Sequence, residues 1–146
     1  MQIREVMTQG PEIISSNATA VEAAAKMKEL DVGSLPVCDG ERLQGLLTDR
    51  DIAVRLVAAE LDASTTKVRE IMTPDVMYCF DDQTLEEAAA LMEAHQIRRL
   101  PIMNRDKRLI GMLSLGDLAV RTEGTEDGEL ADEALKDISE PSEPNR

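Results

Sequence analysis

The chain has 146 residues, 42% of them apolar but only 1% aromatic, so any core must be built from Ala, Val, Ile, Leu and the 8 methionines rather than from ring stacks. A formal net charge of −13 repels nucleic-acid phosphates and anionic membrane surfaces, which removes both from the expected partners and means that any bound anion needs a local basic pocket. Cys38 and Cys79 sit in apolar runs without metal-ligand spacing, MQIREVMTQG has no apolar leader, and no stretch nears the ~18 apolar residues of a membrane helix; buried free thiols, no metal and a cytoplasmic protein are expected.

In chain order, EVMT at 5–8 precedes a short expected strand at 12–15. Thr19 with Glu22 makes a capping box, in which hydroxyl and carboxylate satisfy each other's orphan N–H groups, and opens a helix with Ala20, Ala24 and Met27 at helical spacing. Strands at 35–38 and 43–48 follow, joined by the turn Asp39-Gly40-Glu41, and a last helix starts at Asp49. Residues 57–69 connect to a second pass. There EIMT at 70–73 leads to a strand at 76–80, a box at Thr84 and Glu87, and a helix with Leu85, Ala88 and Met92 on one face. LPI at 100–102, the turn Asn104-Arg105-Asp106-Lys107, the strand 109–114 and a helix from Leu115 complete the copy.

The two passes are one repeat with a shift of 65 to 66 residues: LPV at 35–37 returns at 100–102, and Asp51-Ile52-Ala53 returns as Asp117-Leu118-Ala119. Strand, helix, strand, strand, helix is an α+β sandwich unit with a parallel, right-handed first crossover, and one copy alone exposes too much apolar surface. The expected architecture is therefore two tandem β-α-β-β-α repeats packed about a pseudo-two-fold axis. The repeats are set at 1–60 and 70–121, with a linker at 61–69 and a partly disordered acidic tail at 122–146. That tail holds nine Asp and Glu against Lys136 and Arg146; a solvated tail is expected, with a short helix over 129–138 as the lesser alternative.

Where each last strand meets its helix, the chain reads Gly45-Leu46-Leu47-Thr48-Asp49-Arg50-Asp51 and Gly111-Met112-Leu113-Ser114-Leu115-Gly116-Asp117. A carboxylate accepts hydrogen bonds from two adjacent hydroxyls, so Thr48 with Asp51 and Ser114 with Asp117 are candidates to hold a ribose diol. A hydroxyl followed three residues later by an acid is also a capping box, and each motif alone favours the cap; recurrence within a long repeat shifts the balance. Met7-Thr8 and Met72-Thr73-Pro74 read as packing and capping at the start of each repeat, with ligand contact as the lesser alternative. His95, the single histidine, has no constellation around it and reads as a helix-terminal residue, and Tyr78 as a half-buried strand tyrosine.

EVMT/EIMT, GSLPV/RRLPI, GLLTDRDI and GMLSLGDL together resemble the CBS-domain pair, or Bateman module, over residues 5 to 120, in the manner of stand-alone bacterial two-CBS proteins. The resemblance implies an adenosyl nucleotide, AMP, ADP or ATP with S-adenosylmethionine as a further candidate, in clefts between the repeats and with no other cofactor. It maps ribose contacts onto Thr48, Asp51, Ser114 and Asp117, and phosphate contacts onto Arg98 and Arg99 ahead of Leu100-Pro101. The first copy departs from this with Gly33-Ser34, so the two clefts are expected to differ in phosphate binding. Ile14, Val76 and Ile97 are candidates to line the adenine, and core packing explains them equally well.

No P-loop, dinucleotide glycine fingerprint, zinc-protease helix or nucleophile elbow occurs, so no enzyme is expected. Two functions remain: a nucleotide sensor acting on an unknown regulated protein, and a nucleotide-independent interaction scaffold. The resemblance also implies a homodimer.

Overall fold

The computed structural model of the chain describes residues 1–121; the acidic tail and the helix considered over 129–138 lie outside the described residues. Two compact units are present, one formed by Pro11–Val76 and the other by Met1–Gly10 together with the chain from Met77 onward. The sequence repeat and the compact unit are thus different divisions of the chain.

In the Pro11–Val76 unit the capping box forms as the sequence dictates: Thr19 Oγ1 accepts from the Glu22 N–H at 3.2 Å, and the Glu22 carboxylate accepts from the Thr19 N–H at 3.1 Å. This opens α1 (Ala20–Leu30), which ends at Asp31 in the left-handed region (φ 54°). Its buried face is Ala20, Ala23 and Met27, whereas Ala24, expected inside, is exposed. The next strands, β2 (Ser34–Asp39) and β3 (Arg42–Thr48), pair antiparallel from Ser34↔Thr48 to Asp39↔Arg42 with an irregularity between Val37 and Cys38. Gly40 turns the hairpin at φ 65°, a conformation glycine adopts without a Cβ penalty.

A three-residue α-turn, α2 (Asp49–Asp51), runs into a π-helix over Ile52–Val57, with Ala58 N–H on the Ala53 carbonyl and Leu61 N–H on the Leu56 carbonyl, both at 3.0 Å. The stretch 57–69 then contributes the start of a short helix, α3 (Val68–Ile71), whose Val68 and Ile71 are fully buried. Behind it β4 (Thr73–Pro74) pairs antiparallel with β3 through Leu46↔Thr73 and Gly45↔Pro74. A Cβ on Gly45 would stand 2.4 Å from the Thr73 carbonyl oxygen, so only glycine lets β4 approach. Core residues are Ile14, Ala20, Ala23, Met27, Leu35, Val37, Leu47, Leu56, Val68 and Ile71.

The strand expected at 12–15 contracts to one parallel bridge, Ile14↔Val37. Ile14 donates to the Pro36 carbonyl and accepts from the Cys38 N–H, but the next ladder donor, Ser16 N–H, goes to the Asp39 carboxylate at 3.2 Å and ends the pairing.

In the other unit a 3₁₀ turn at Ile3–Glu5 is tied down by Ile3 N–H on the Gln83 carbonyl and Arg4 N–H on the Asp81 carbonyl. β1 (Thr8–Gln9), β5 (Cys79–Phe80), β6 (Arg99–Met103) and β7 (Leu109–Ser114) form a sheet in the order β1-β7-β6-β5, parallel only between β5 and β6. α4 (Leu85–His95), capped by Thr84 Oγ1 on the Glu87 N–H at 3.2 Å, covers it with Leu85, Ala88, Ala89 and Met92, and α5 (Leu115–Arg121) follows β7. The core joins these to Ile3, Val6, Met7, Leu100, Ile102, Leu113, Leu115 and Leu118. Among the described residues no helix is long and apolar enough to cross a membrane.

Candidate functional site

The strand-to-helix turn of the first copy is a closed polar knot. Thr48, extended at φ −117° and ψ 162°, accepts from the Asp51 N–H at 3.1 Å, and Asp51 Oδ2 accepts from the Thr48 N–H at 3.0 Å. The Thr73 hydroxyl, brought over by β4, donates toward both Asp51 oxygens at 3.4 and 3.5 Å. Arg55, one turn along, lies 3.8 Å from Asp51 Oδ1 and donates to the Met72 carbonyl at 2.7 Å. Asp51 is only 8% exposed, so this carboxylate is held by its own main chain and its neighbours.

The second copy makes the same turn more openly. Ser114 Oγ accepts from the Asp117 N–H at 2.9 Å, and the Thr8 hydroxyl on β1 lies 3.5 Å from Asp117 Oδ2. The reciprocal bond from the Ser114 N–H to the Asp117 carboxylate has no counterpart among the hydrogen bonds of the described residues. Asp117 is half-buried. Arg99 sits opposite Ser114 in the β6–β7 register, side chains on one face, while the Arg98 carbonyl accepts from the Leu115 N–H at 3.1 Å. Both arginines are exposed. The structure thus brings Ser114, Asp117 and Arg99 together; it places Thr48 and Asp51 together, with Ser34 where Arg99 stands in the second copy.

Of the residues considered for adenine, Ile14 lies in the core of its unit, and Ile97 packs against the core of the other while donating its N–H to the Met92 carbonyl. Val76 is half-buried between β4 and β5. Tyr78 is exposed and edge-on to Phe80, ring centroids 5.6 Å apart, and His95 ends α4 on the surface.

Thr8 and Thr73 are participants that the sequence reading took first as packing and capping residues and only second as ligand contacts. Each comes from the Met-Thr motif ahead of one repeat and addresses the aspartate of the other: Thr73 reaches Asp51, and Thr8 reaches Asp117. The signal that could have found them is the paired glycine. A Cβ on Gly111 would stand 2.6 Å from Met7 Sδ and 2.9 Å from the Thr8 carbonyl, as one on Gly45 would meet Thr73.

Among the described residues no group of three or more His, Cys, Asp and Glu could hold an ion. The free thiols of Cys38 and Cys79 are both pushed up to about 11, first by burial and then by Asp39 and Glu87 respectively, so neither offers a thiolate at neutral pH.

The CBS domain model matches residues 3–58 and again 68–122. CBS domain-containing protein YhcV of Bacillus subtilis is 42% identical over 94% of either chain. Hypoxic response protein 1 of Mycobacterium tuberculosis is 37% identical over 80% of this chain and 81% of its own. Among solved structures, Hypoxic Response Protein I with two coordinated zinc ions aligns at a TM-score of 0.76 and 36% identity, covering 82% of this chain and 98% of that one. CBSX2 in complex with AMP aligns at 0.71 and 28%, covering 82% and 93%. With one family model matched twice in tandem and the fold shared with these structures, the chain belongs to the CBS domain family.

Proposed function

We propose that the chain is a regulatory module that binds an adenosyl nucleotide, AMP, ADP or ATP, acts on a partner protein and catalyses nothing itself. The observation that carries this reading is the Asp117 turn: a hydroxyl, a half-buried carboxylate and Arg99 gathered on one strand end, the donor and acceptor set that a ribose and a phosphate require. The complex of CBSX2, 28% identical, with AMP supports it. In this reading Ser114 and Asp117 take the ribose, with Thr48 and Asp51 as the second set. Arg98 and Arg99 take the phosphate, and Ile14, Val76 and Ile97 are the candidates for the base. Nucleotide acts by stabilising one arrangement of the protein over another, which only a difference in affinity can do. Exposed Val54, Val57 and Leu61 along one stretch of surface support a homodimer.

Titration calorimetry of the full chain with AMP, ADP, ATP and S-adenosylmethionine tests the reading. Saturable binding of an adenine nucleotide is expected, weakened about tenfold to a hundredfold by Asp117→Asn, the range for a charged hydrogen bond. Absence of heat and of thermal stabilisation from all four ligands sinks it. The closed knot around Asp51 favours a second reading in that event, a nucleotide-independent interaction scaffold in which these carboxylates are caps.

A further inference from the structure

The two turns match position for position, which makes their differences chemically legible. The Gly33 carbonyl accepts from the Asp49 N–H at 2.9 Å just as the Arg98 carbonyl accepts from the Leu115 N–H at 3.1 Å. Ser34 faces Thr48 in the register that sets Arg99 against Ser114. Where the second copy has Arg98, Arg99 and Leu115, the first therefore has Gly33, Ser34 and Asp49. Asp49 Oδ1 accepts from the Arg50 N–H at 2.8 Å, and its Oδ2 lies 3.0 Å from where a Cβ on Gly33 would stand. The space in which the second copy starts a cationic side chain is filled in the first by a carboxylate.

Nearby cations do not reverse this. Arg55 is engaged by Asp51 and the Met72 carbonyl, which leaves Arg50, exposed and next in the chain to Asp49, as the remaining cation of the turn. The first turn is electrically balanced at best, whereas the second sets Arg99 against Ser114 and has Leu115 where the first has Asp49. A phosphate monoester carries about −1.5 to −2 at neutral pH and is repelled by a fixed carboxylate at close range; an adenosyl group without phosphate is not. We propose that Asp49 is a charge filter, so that the first copy takes adenosyl ligands lacking a phosphate while the second takes phosphorylated ones. This rests on the nucleotide-binding reading above.

The test uses the full-length chain with AMP and adenosine as probes, by calorimetry in wild type and in Asp117→Asn, which isolates the first copy. In Asp117→Asn, adenosine is expected to bind at least ~10-fold more tightly than AMP, because like-charge juxtaposition is strongly disfavoured. Adding Asp49→Asn, which removes charge while keeping shape, brings the two ligands within about threefold. Asp49→Leu, the residue type of the second copy, does the same, and thermal melts of each variant establish folding at this exposed position. Equal affinity for both ligands with Asp49 intact, a preference unmoved by either Asp49 variant, or AMP binding to wild type with neither ligand bound by Asp117→Asn overturns the filter and leaves nucleotide binding standing. If wild type binds neither probe, nor any other adenine nucleotide, the nucleotide reading itself has failed.

Discussion

The two strand-to-helix turns use one motif to different ends. Around Asp51 the hydroxyl, the returned carboxylate, Thr73 and Arg55 close on one another, and the chain continues as a π-helix; around Asp117 the box is half made, Arg99 opens the neighbouring strand, and an ordinary α-helix follows. Repetition therefore preserves backbone geometry more strictly than it preserves free hydrogen-bonding capacity. A carboxylate already satisfied by its own main chain contributes more to stability, and one left partly unsatisfied has more capacity to offer a ligand.

The strongest way to break the comparison is at the glycines that admit the crossing strands. Gly45→Ala meets a backbone carbonyl at 2.4 Å, so β4 itself must move, and a loss of about 3 kcal/mol is expected in urea unfolding. Gly111→Ala first meets Met7 Sδ at 2.6 Å, the end of a flexible side chain, with the Thr8 carbonyl at 2.9 Å, and about 1–2 kcal/mol is expected. Equal losses would mean that β1 and β4 are equally rigid and that the two sheets are alike after all.

The aspartates sharpen it next. Asp51→Asn removes charge from a knot with three partners, so about 1–2 kcal/mol of stability should go, read as a lower urea midpoint. Asp117→Asn should cost less than about 0.5 kcal/mol while carrying the loss of nucleotide affinity. The reverse pattern, with Asp117 the costlier change, would exchange the roles assigned to the two turns.

Local chemistry was legible in the sequence wherever a short pattern suffices to fix a conformation. The box at Thr19 and Glu22, the Gly40 turn, and the helix starts at Asp49 and Leu115 all stand where the pattern put them, whereas the box at Thr84 is one-sided, its Glu87 carboxylate accepting from the Gln83 amide and the Thr84 hydroxyl instead of the Thr84 N–H. What escaped was non-local. Two-residue strands such as β1 and β4 carry no alternation to read, and their partners lie in the other repeat, so only the paired glycines betray the crossing. The contracted strand at Ile14 escaped because a side chain, Asp39, competes with the ladder for the Ser16 N–H. At the candidate site, residue types and spacing placed the hydroxyls and acids together, but which acid turns onto its own backbone depends on Thr73, Arg55 and the π-helix, none of which a spacing rule encodes.

The smallest expected effects come from the clasp that joins each pre-helix loop to the hairpin turn. In the first copy buried Ser16 places its hydroxyl on both Asp39 oxygens at 2.9 and 2.8 Å, and Ser16→Ala should cost about 1 kcal/mol in thermal unfolding. In the second copy an exposed pair does the job: Arg105 donates to Asp82 at 2.9 and 2.7 Å and lies 4.2 Å from the Phe80 ring centroid. The hydrogen bonds from Arg105, more than its charge or that of Arg4, hold the Asp82 carboxyl below its ordinary range. Because the folded-state value is depressed, the pair's contribution is present above pH ~4, where the unfolded carboxyl is ionised, and fades as pH falls through the lower folded value. Arg105→Ala should therefore raise the Asp82 midpoint in an NMR titration toward the ordinary carboxylate value and shift the melt by about a degree at neutral pH, less in acid. A melt shift as large as that of Ser16→Ala that is also unchanged on acidification would show that the guanidinium acts through the Phe80 ring rather than through Asp82.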